Sequence, residues 1–568
     1  MNAQTPRAAS ALDQAADHYV RAVARINPVA ATDWGLPGTP GALPDYSPAG
    51  FEEQLRLDRG LVASAQAAAA RPADAVDRVT ISAIVESLGA AIDLAEAGED
   101  LAAVNNIASP IQDVRDSFDL MPRQTREEWQ DVADRLHAVP DALSGYAESL
   151  RLAASRGLIA ARRQIGIGIE EARAAASPDG VLAALAEEGA AAPAVADGTD
   201  DRLVEELRDG ARVAAQAYET LAGVLADELL DRAPASDGVG RERYQRFSRQ
   251  FVGAVVDLDE TYDWGRDQLA GIDAEQRRIA AELYGPGTSV REAMRRLNDE
   301  PALQLHGTAA LKEWMQGLAD SVIADLDGVH FDIPAPARRI ECLLAPSANG
   351  GIYYTGPSQD FSRPGRMWWS VPPGEDTFHT WQERTTVFHE GVPGHHLQIS
   401  QAMYEADSLN LYRRLASWNS GHGEGWALYA EGLMAELGYQ DEPANRMGLL
   451  DSMRLRAARV VLDIGVHLGL PRPDGSGQAW DRDYAWSFLK DNVAMADGFL
   501  AFELNRYLGW PGQAPSYKVG QRLWQEAREG YLSTAASRGE EPTLKAFHSK
   551  ALKLGGLPMA TLREAVLA

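Results

Sequence analysis

The sequence predicts a mainly α-helical protein with one small antiparallel β-sheet, because the pattern of residues changes only twice along the chain. From about residue 12 to 327, Ala, Leu, Glu, Arg and Asp predominate and apolar residues recur at helical spacing, as in FEEQLRLDRGLVASAQAAAA. Helical patterning returns near residue 377 and continues to 568. The stretch 329–373 between them contains short β-favouring runs separated by Pro, Gly, Asn and Ser. These runs, the predicted strands, are residues 340–344, 352–355 and 367–371.

Turn signals divide the helical regions into separate helices, and none of them resembles a long interdomain linker. They lie at residues 37–48, 177–180, 233–240, 284–289, 469–477 and 510–516. We therefore expect a helical N-terminal region, 1–328, and a second region, 329–568, that carries the sheet and the chemistry. The two are expected to form one intertwined unit.

Composition and charge exclude several classes of protein. The 568 residues allow a large core, and a single cysteine, Cys342, excludes a disulfide scaffold and fits a reducing compartment. Lys+Arg 54 against Asp+Glu 82 gives a net charge of −28, which opposes binding to nucleic acid or anionic lipid. No leader-like segment and no apolar run of membrane-spanning length occurs. These features predict a soluble cytoplasmic protein.

Histidines are concentrated just after the predicted sheet, where six of the eleven lie between His379 and His467. The sharpest motif there is TVFHEGVPGHHLQ, residues 386–398, in which His389 and Glu390 are adjacent and a His pair follows. It resembles a stretched H-E-x-x-H, the motif in which two histidines bind zinc and the Glu acts as general base. The alternative is that these histidines cap or line a Gly-Pro turn.

The longer spacing requires a distortion of the helix. On a regular helix His395 would lie about 120° from His389, and His396 would lie about 10.5 Å further along the axis. Pro393, together with Gly391 and Gly394, permits a local bulge that restores chelating geometry. We expect His395 to be the second ligand, since a smaller bulge suffices, and His396 is the alternative.

A third ligand is expected from SGHGEGWALYAEGL, residues 420–433. Glu424 and Glu431 are seven residues apart and so lie near the same face of a helix. Their neighbours, among them Trp426 and Leu428, are largely apolar, which favours a buried role. We expect Glu424 to bind the metal and Glu431 to be a supporting residue or the next choice for the base.

Other polar residues are candidates for supporting or substrate-binding roles. Arg456, Arg459, Asp463 and His467 form one polar stripe on an otherwise apolar helix. Asp463 or Glu431 would accept a hydrogen bond from a ligand histidine, and Arg456 or Arg459 would hold a substrate carboxylate. A salt-bridged surface face is the alternative for this stripe. The remaining pocket candidates are Arg506, Tyr507, Tyr353, Tyr354, Trp368 and Trp369.

Taken together, HEGVPGHHLQ, EGWALYAE, MRLRAARVVLDIGVH, WPGQAPSYKVG and AFHSKALKLGGLP resemble the bacterial domain-of-unknown-function family 885. That family is similar to helical zinc metallopeptidases such as thimet oligopeptidase, angiotensin-converting enzyme and carboxypeptidase Taq. The resemblance implies a two-lobed helical body with a deep cleft, a small sheet on one wall, and one Zn²⁺ per chain. It also implies His389 and Glu424 as ligands, Glu390 as base and Tyr517 as the group that polarises the substrate carbonyl.

The expected function is a zinc-dependent hydrolase that cleaves peptide or related amide bonds. An amidase or esterase acting on a small molecule would use the same residues. A di-iron oxidase is disfavoured because it requires Glu-x-x-His on a helix, and Pro393 stands three residues after Glu390. A metal-stabilised helical binding protein without turnover is the alternative from another class.

Overall fold

The computed structural model describes residues 7–71, 73–119, 121–196, 201–345 and 351–568. Residues 346–350, predicted as part of the loop between the first two predicted strands, lie outside the described residues. Within the described ranges the secondary structure is dominated by helices, which confirms the mainly α-helical class. The helices are α1 (Ala11–Ile26), α2 (Pro28–Asp33), α3 (Pro48–Ala69), α4 (Ala75–Ala97), α5 (Pro110–Asp116), α6 (Arg126–Ser155), α7 (Arg162–Ala176), α8 (Val181–Ala191), α9 (Arg202–Val224), α10 (Arg241–Val252), α11 (Leu258–Tyr284), α12 (Val290–Asn298), α13 (Thr308–Leu326), α14 (Thr380–Glu390), α15 (His395–Tyr404), α16 (Ser420–Glu436), α17 (Pro443–Leu468), α18 (Arg482–Asn492), α19 (Asp497–Gly509), α20 (Ser516–Ser537), α21 (Leu544–Leu552) and α22 (Met559–Leu567).

The strands form two small sheets instead of the single antiparallel sheet that the sequence predicted. They are β1 (Gln304–His306), β2 (Ile340–Leu344), β3 (Tyr353–Thr355), β4 (Gly365–Trp369) and β5 (Thr377–His379). In the three-stranded sheet, of order β2-β4-β3, β3 and β4 are antiparallel but β2 and β4 are parallel. The prediction of purely antiparallel pairing is wrong, because the chain leaves β2, forms the edge strand β3 and returns to place β4 between them. The antiparallel pair β1–β5 was not predicted, since three-residue strands show no clear alternation.

Hydrophobic cores of the protein contain residues from both sides of residue 328, the expected boundary between the two regions. One core is built within residues 104–233, but α11 packs along α17, and an added Cβ on Gly265 would lie 2.9 Å from Val460. A further core joins α1, α3 and α4 to Leu411 and Tyr412. The expected division at 328 therefore does not separate two independent cores.

Close packing of α16 on α20 depends on glycine. A Cβ on Gly425 would lie 2.5 Å from the carbonyl carbon of Gly520, and a Cβ on Gly520 would lie 2.2 Å from the carbonyl oxygen of Gly421. Only hydrogen side chains permit this approach, which brings the start of α20 against the start of α16. Ser516 and Ser420, at these two starts, lie 2.7 Å apart through their hydroxyl oxygens.

Helix α1 begins at a capping box in which Ser10 and Asp13 satisfy each other's backbone N–H groups. Asp13 also accepts a hydrogen bond of 2.9 Å from Asn410, far away in the sequence. None of the helices in the described ranges combines the length and apolar character needed to cross a membrane.

Candidate metal centre

His389 and Glu390 are the last two residues of α14, and His395 is the first residue of α15. The chain turns between them through residues 391–394, so the extra residues of the motif break the helix completely and do not form a bulge within it. The turn depends on Gly394, where a Cβ would lie 1.9 Å from the carbonyl oxygen of His389. Its N–H donates to the carbonyl oxygen of Phe388 at 3.1 Å, which closes the turn.

This break brings three candidate ligand atoms together. Nε2 of His389 lies 3.3 Å from Oε2 of Glu424, and Nε2 of His395 lies 3.5 Å from the same oxygen. The two imidazole rings are nearly perpendicular, with centroids 4.9 Å apart. Two imidazoles and one carboxylate are a set of ligands that binds zinc in hydrolases. The structure thus brings together the three side chains that the sequence predicted as ligands, and their binding of a metal stays a prediction.

Glu390 lies beside these groups, and one of its carboxylate oxygens has no hydrogen-bond partner in the described part of the chain. Its ligand atom and those of His389 and His395 all lie within 4.8 Å of one another. Oε2 of Glu390 is buried and accepts no hydrogen bond within the described residues. A buried carboxylate oxygen without a donor is costly, so this atom is positioned for a group that the protein chain does not supply.

Glu431 holds His389 from the other side. Oε1 of Glu431 accepts from Nδ1 of His389 at 2.8 Å, which directs Nε2 toward Glu424. Thr385 and Ser452 donate to Oε2 of Glu431 at 2.5 Å and 3.1 Å. The two glutamates seven residues apart on α16 therefore reach opposite nitrogens of one imidazole, and Glu431 makes the contact with His389 that the sequence predicted for Glu431 or Asp463.

The cluster contains more carboxylates than imidazoles, and this excess of acidic groups favours the binding of a cation. Burial lowers the pKa of His389, but hydrogen bonds to Glu424 and Glu431 outweigh it and raise the pKa to about 10. Burial raises the pKa of Glu424, but its hydrogen bonds to His389 and His395 hold it well below the ordinary value. Burial also raises the pKa of Glu390. Two buried carboxylates and the partly exposed carboxylate of Glu424, beside two imidazoles, have the chemistry of a divalent-cation site, and His389, His395 and Glu424 would hold the ion.

His396, the alternative second ligand, is engaged elsewhere. Its Nε2 donates to the carbonyl oxygen of Ala337 at 2.8 Å, and its Nδ1 accepts from the hydroxyl of Tyr354 at 2.9 Å. Burial lowers the pKa of His396 to about 4, which keeps the ring neutral. Both nitrogens are thus occupied, and Tyr354, predicted to contact substrate, instead anchors α15 to the sheet.

Tyr517, near the start of α20, lies within the electrostatic reach of Glu424. Burial, with the negative charge of Glu424, raises the pKa of the Tyr517 hydroxyl, while Arg506 and Arg459 oppose this rise. The guanidinium of Arg459 lies 5.0 Å from the centroid of the Tyr517 ring. Nη2 of Arg506 lies 3.4 Å from the Tyr517 hydroxyl oxygen. Within the described residues the hydroxyl accepts this one long hydrogen bond and donates none.

Arg459 and Arg506 are held by a common carboxylate. Arg459 donates to Glu503 at 2.7 Å and to the Tyr507 hydroxyl at 2.8 Å, and Arg506 donates to Glu503 at 3.2 Å. Arg506 also donates to Gln513 at 2.6 Å. Arg459 is thereby committed to a buried ion pair and is not free to hold a substrate carboxylate. Both arginines lie over the ring of Tyr517, with guanidinium carbons 5.0 and 5.8 Å from its centroid.

The rest of the polar stripe on α17 divides between two environments. Arg456 donates to the carbonyl oxygen of Ser452 and lies near enough to Glu431 for its charge to lower the pKa of that carboxyl. Asp463 accepts from the Tyr244 hydroxyl and the Gly512 N–H, and within the described residues no histidine donates to it. The interpretation of Asp463 as a partner of a ligand histidine is therefore wrong.

His467 likewise lies in the packing around α17. Its Nε2 donates to the carbonyl oxygen of Tyr507 at 2.8 Å, and its ring stacks on Tyr244 with centroids 5.6 Å apart. Helical spacing placed His467 and Asp463 on the same face of α17 as Arg456. Further along the helix, however, this face packs against α10 and α19 and not against the metal centre.

Sequence reasoning missed three residues at this site. Thr385, four residues before His389, and Ser452 both support Glu431, and their helical spacing from known candidates was the available signal. Trp418, two residues before the SGHGEG motif, lies with its ring centroid 6.2 Å from that of His395. Two cavities of about 500 and 780 Å³ lie elsewhere on the surface and are not lined by the His/Glu cluster.

The fold and the site define a mainly α-helical protein with a buried His/Glu cluster suited to a divalent cation. The chain belongs to the family described as "Bacterial protein of unknown function (DUF885)", whose model matches residues 28–566. None of the curated proteins compared matches it significantly.

Two solved structures share the fold over nearly the whole chain. The first, a protein of Colwellia psychrerythraea provisionally named a lipoprotein, has a TM-score of 0.82 at 23% identity and covers 98% of both chains. The second, from Shewanella oneidensis and provisionally named a lipoprotein of unknown function, has a TM-score of 0.73 at 17% identity, covering 99% of this chain and 100% of that one. At these identities the likeness concerns the fold alone.

Proposed function

We propose that the chain is a zinc-dependent hydrolase that cleaves peptide or related amide bonds, with one Zn²⁺ held by His389, His395 and Glu424. The observation that carries this proposal is the convergence of these ligand atoms beside Glu390, whose buried Oε2 has no partner in the described part of the chain. A binding protein without turnover would have no evident use for an unpaired acid at that position.

Each residue has a role that follows from its contacts. Bound zinc would supply Lewis acidity, lowering the pKa of a water molecule and polarising the substrate carbonyl. Glu390 takes the proton from the attacking water and passes it to the leaving amine. The Tyr517 hydroxyl, free to donate, stabilises the oxyanion, while Glu431 keeps Nε2 of His389 directed at the metal.

The proposal is tested by metal analysis of the purified protein together with a hydrolysis screen, with and without chelator. The screen contains peptides, N-acyl amino acids and simple esters, so that it separates a peptidase from a small-molecule amidase or esterase. We expect one zinc per chain and chelator-sensitive turnover. Zinc bound tightly, with no turnover on any of the three classes, would favour the binding protein and contradict the hydrolase.

Three substitutions, one of them a control, assign the roles. Glu390→Gln should keep zinc and fold but reduce turnover about a hundredfold or more, because the general base is lost. Glu383→Gln, a matched control seven residues earlier on α14, should change turnover little. His389→Ala should lose zinc, and full zinc occupancy in that variant would refute the ligand set.

We also propose, from the sequence alone, that this activity is cytoplasmic. The lipoprotein names of the two similar structures belong to those proteins. Fractionation of cells that express the chain at its natural level tests the proposal.

A further inference from the structure

We propose that Trp418 is a specificity-determining residue, and that its indole binds an apolar side chain of the substrate next to the bond that is cleaved. This inference rests on the proposed hydrolase function and specifies its substrate class. It predicts a preference for substrates with a large aliphatic or aromatic residue at that position over those with glycine.

The first supporting observation is the exposure of the indole beside the metal centre. Trp418 is 54% exposed, and it is the only one of the thirteen tryptophans, all of them in the described ranges, that belongs to the strongly exposed residues. Its centroid lies 6.2 Å from that of the candidate ligand His395. An exposed indole leaves a large apolar area in water, and a substrate side chain would cover it.

The second observation is that the indole packs closely against the backbone of α16. A Cβ on Gly423 would lie 2.2 Å from Cη2 of Trp418, so the six-membered ring packs closely against the backbone one residue before Glu424. Any larger residue at position 423 would displace it. The indole therefore lies beside His395 and against the residue that precedes Glu424.

The third observation is that the backbone on both sides of Trp418 is held in place. Ser417 is buried and its N–H donates to the carbonyl oxygen of Tyr412 at 2.7 Å. Asn419 is buried, caps α16 and donates from Nδ2 to the carbonyl oxygen of Gln250 at 2.9 Å. An exposed side chain between two anchored, buried neighbours is preorganised, so little entropy is lost when a ligand packs on it.

An apolar group is favoured over a cationic one, although indole faces also attract cations. A zinc ion on His389, His395 and Glu424 would repel a second positive charge beside the ring of Trp418. An apolar side chain incurs no such repulsion.

The test uses amino-acid hydroxamates, which chelate zinc through the hydroxamate group and present one side chain. Their affinities for the zinc-loaded full-length protein are measured by calorimetry. We expect phenylalanine hydroxamate to bind roughly tenfold to a hundredfold more tightly than glycine hydroxamate. Trp418→Ala should remove most of this preference and leave the affinity of glycine hydroxamate unchanged.

Two further variants control for structure. Trp418→Phe keeps an aromatic face and should keep most of the preference even if the alanine variant folds poorly. Tyr404→Ala removes an aromatic side chain that is 52% exposed at the far end of α15, and should alter neither affinity.

The outcomes separate the two proposals. An unchanged preference in Trp418→Ala, or tightest binding of lysine hydroxamate, would overturn the role of Trp418 while leaving the zinc site intact. Failure of all hydroxamates to bind the zinc-loaded protein would overturn the proposed metal centre and, with it, this inference.

Discussion

The hydroxyl of Tyr517 is free to donate a hydrogen bond, and the guanidinium groups of Arg459 and Arg506 lie over its ring. Tyr517→Phe should therefore lower turnover roughly a hundredfold to a thousandfold, because removing one oxyanion donor costs about 3 to 4 kcal/mol in the barrier. The Michaelis constant should hardly change if it approximates binding. Turnover and thermal midpoint measured on one preparation check this.

The opposite pattern would remove Tyr517 from the mechanism. If the hydroxyl served only packing, its loss would reduce stability by about 1 to 3 kcal/mol and leave the rate of the folded fraction intact. Glu503→Gln is unsuitable as a control, because it would disturb both arginines that hold the ring.

Asp463 provides a prediction about pH. Burial raises its pKa to about 7, although hydrogen bonds from Gly512 and Tyr244 lower it. Between about pH 4 and pH 7 the folded protein therefore binds a proton at Asp463 that the unfolded chain lacks, so this residue makes stability fall as the pH rises through that window. Asp463→Asn keeps an oxygen that accepts both hydrogen bonds and removes the titration.

From pH 5 to pH 8, the free energy of unfolding of the variant should increase by at least about 1 kcal/mol relative to that of the unmodified protein. Urea unfolding at a series of pH values measures this difference. Parallel stability curves for the two proteins would contradict it.

The residues of the candidate metal centre differ in how well their places in the site could be predicted from the sequence. Glu424 and Glu431 were predictable because seven residues make nearly two helical turns, and one helix, α16, carries both. The choice between His395 and His396 was open, because the turn at 391–394 sets their orientation. His396 is occupied by Ala337 and Tyr354, 59 and 42 residues away in the chain, and such contacts leave no local pattern.

The two helices that carry His389 and His395 are joined by a turn that depends on Gly394. Gly394→Ala would place a Cβ against the carbonyl oxygen of His389, so the turn must open and the two imidazoles must separate. We expect a loss of about 1 to 3 kcal/mol in stability and a loss of zinc affinity of about tenfold or more. Zinc titration followed by thermal unfolding measures both.

Gly271→Ala is the matched control. Gly271 lies within α11, and nothing stands within 4 Å of the position that a Cβ would take. Alanine there should raise stability by up to about 1 kcal/mol through helix propensity and leave zinc affinity unchanged. Equal effects of the two substitutions would show that the turn has no special role.

The positions of helices and strands along the chain were predicted better than the pairing of the strands. The runs at 340–344, 352–355 and 367–371 correspond closely to β2, β3 and β4, since β-branched and aromatic residues mark them. The parallel pairing of β2 with β4 was not predictable, because pairing depends on the route of the chain between strands and not on their composition.

The cores that cross residue 328 determine how the chain tolerates division. A fragment of residues 329–568 would expose the face of α17 that packs on α11, and a fragment of residues 1–328 would expose the other side of this contact. We expect each fragment alone to aggregate or remain partly unfolded, and coexpression to yield a soluble complex. Gel filtration and circular dichroism of the three preparations check this, and two independently folded monomers would contradict it.

Contacts between α1 and the segment around Asn410 also have a consequence during protein synthesis. Asp13 and Asp17 accept hydrogen bonds from Asn410 and from the backbone N–H of Leu411, and Tyr412 packs against Tyr19. At about 5 to 20 residues per second, a ribosome needs roughly 20 to 80 s to proceed from α1 to these partners. Throughout that interval α1 can pack on α3 and α4, but the part of its surface that Leu411 and Tyr412 cover stays in contact with water on the nascent chain.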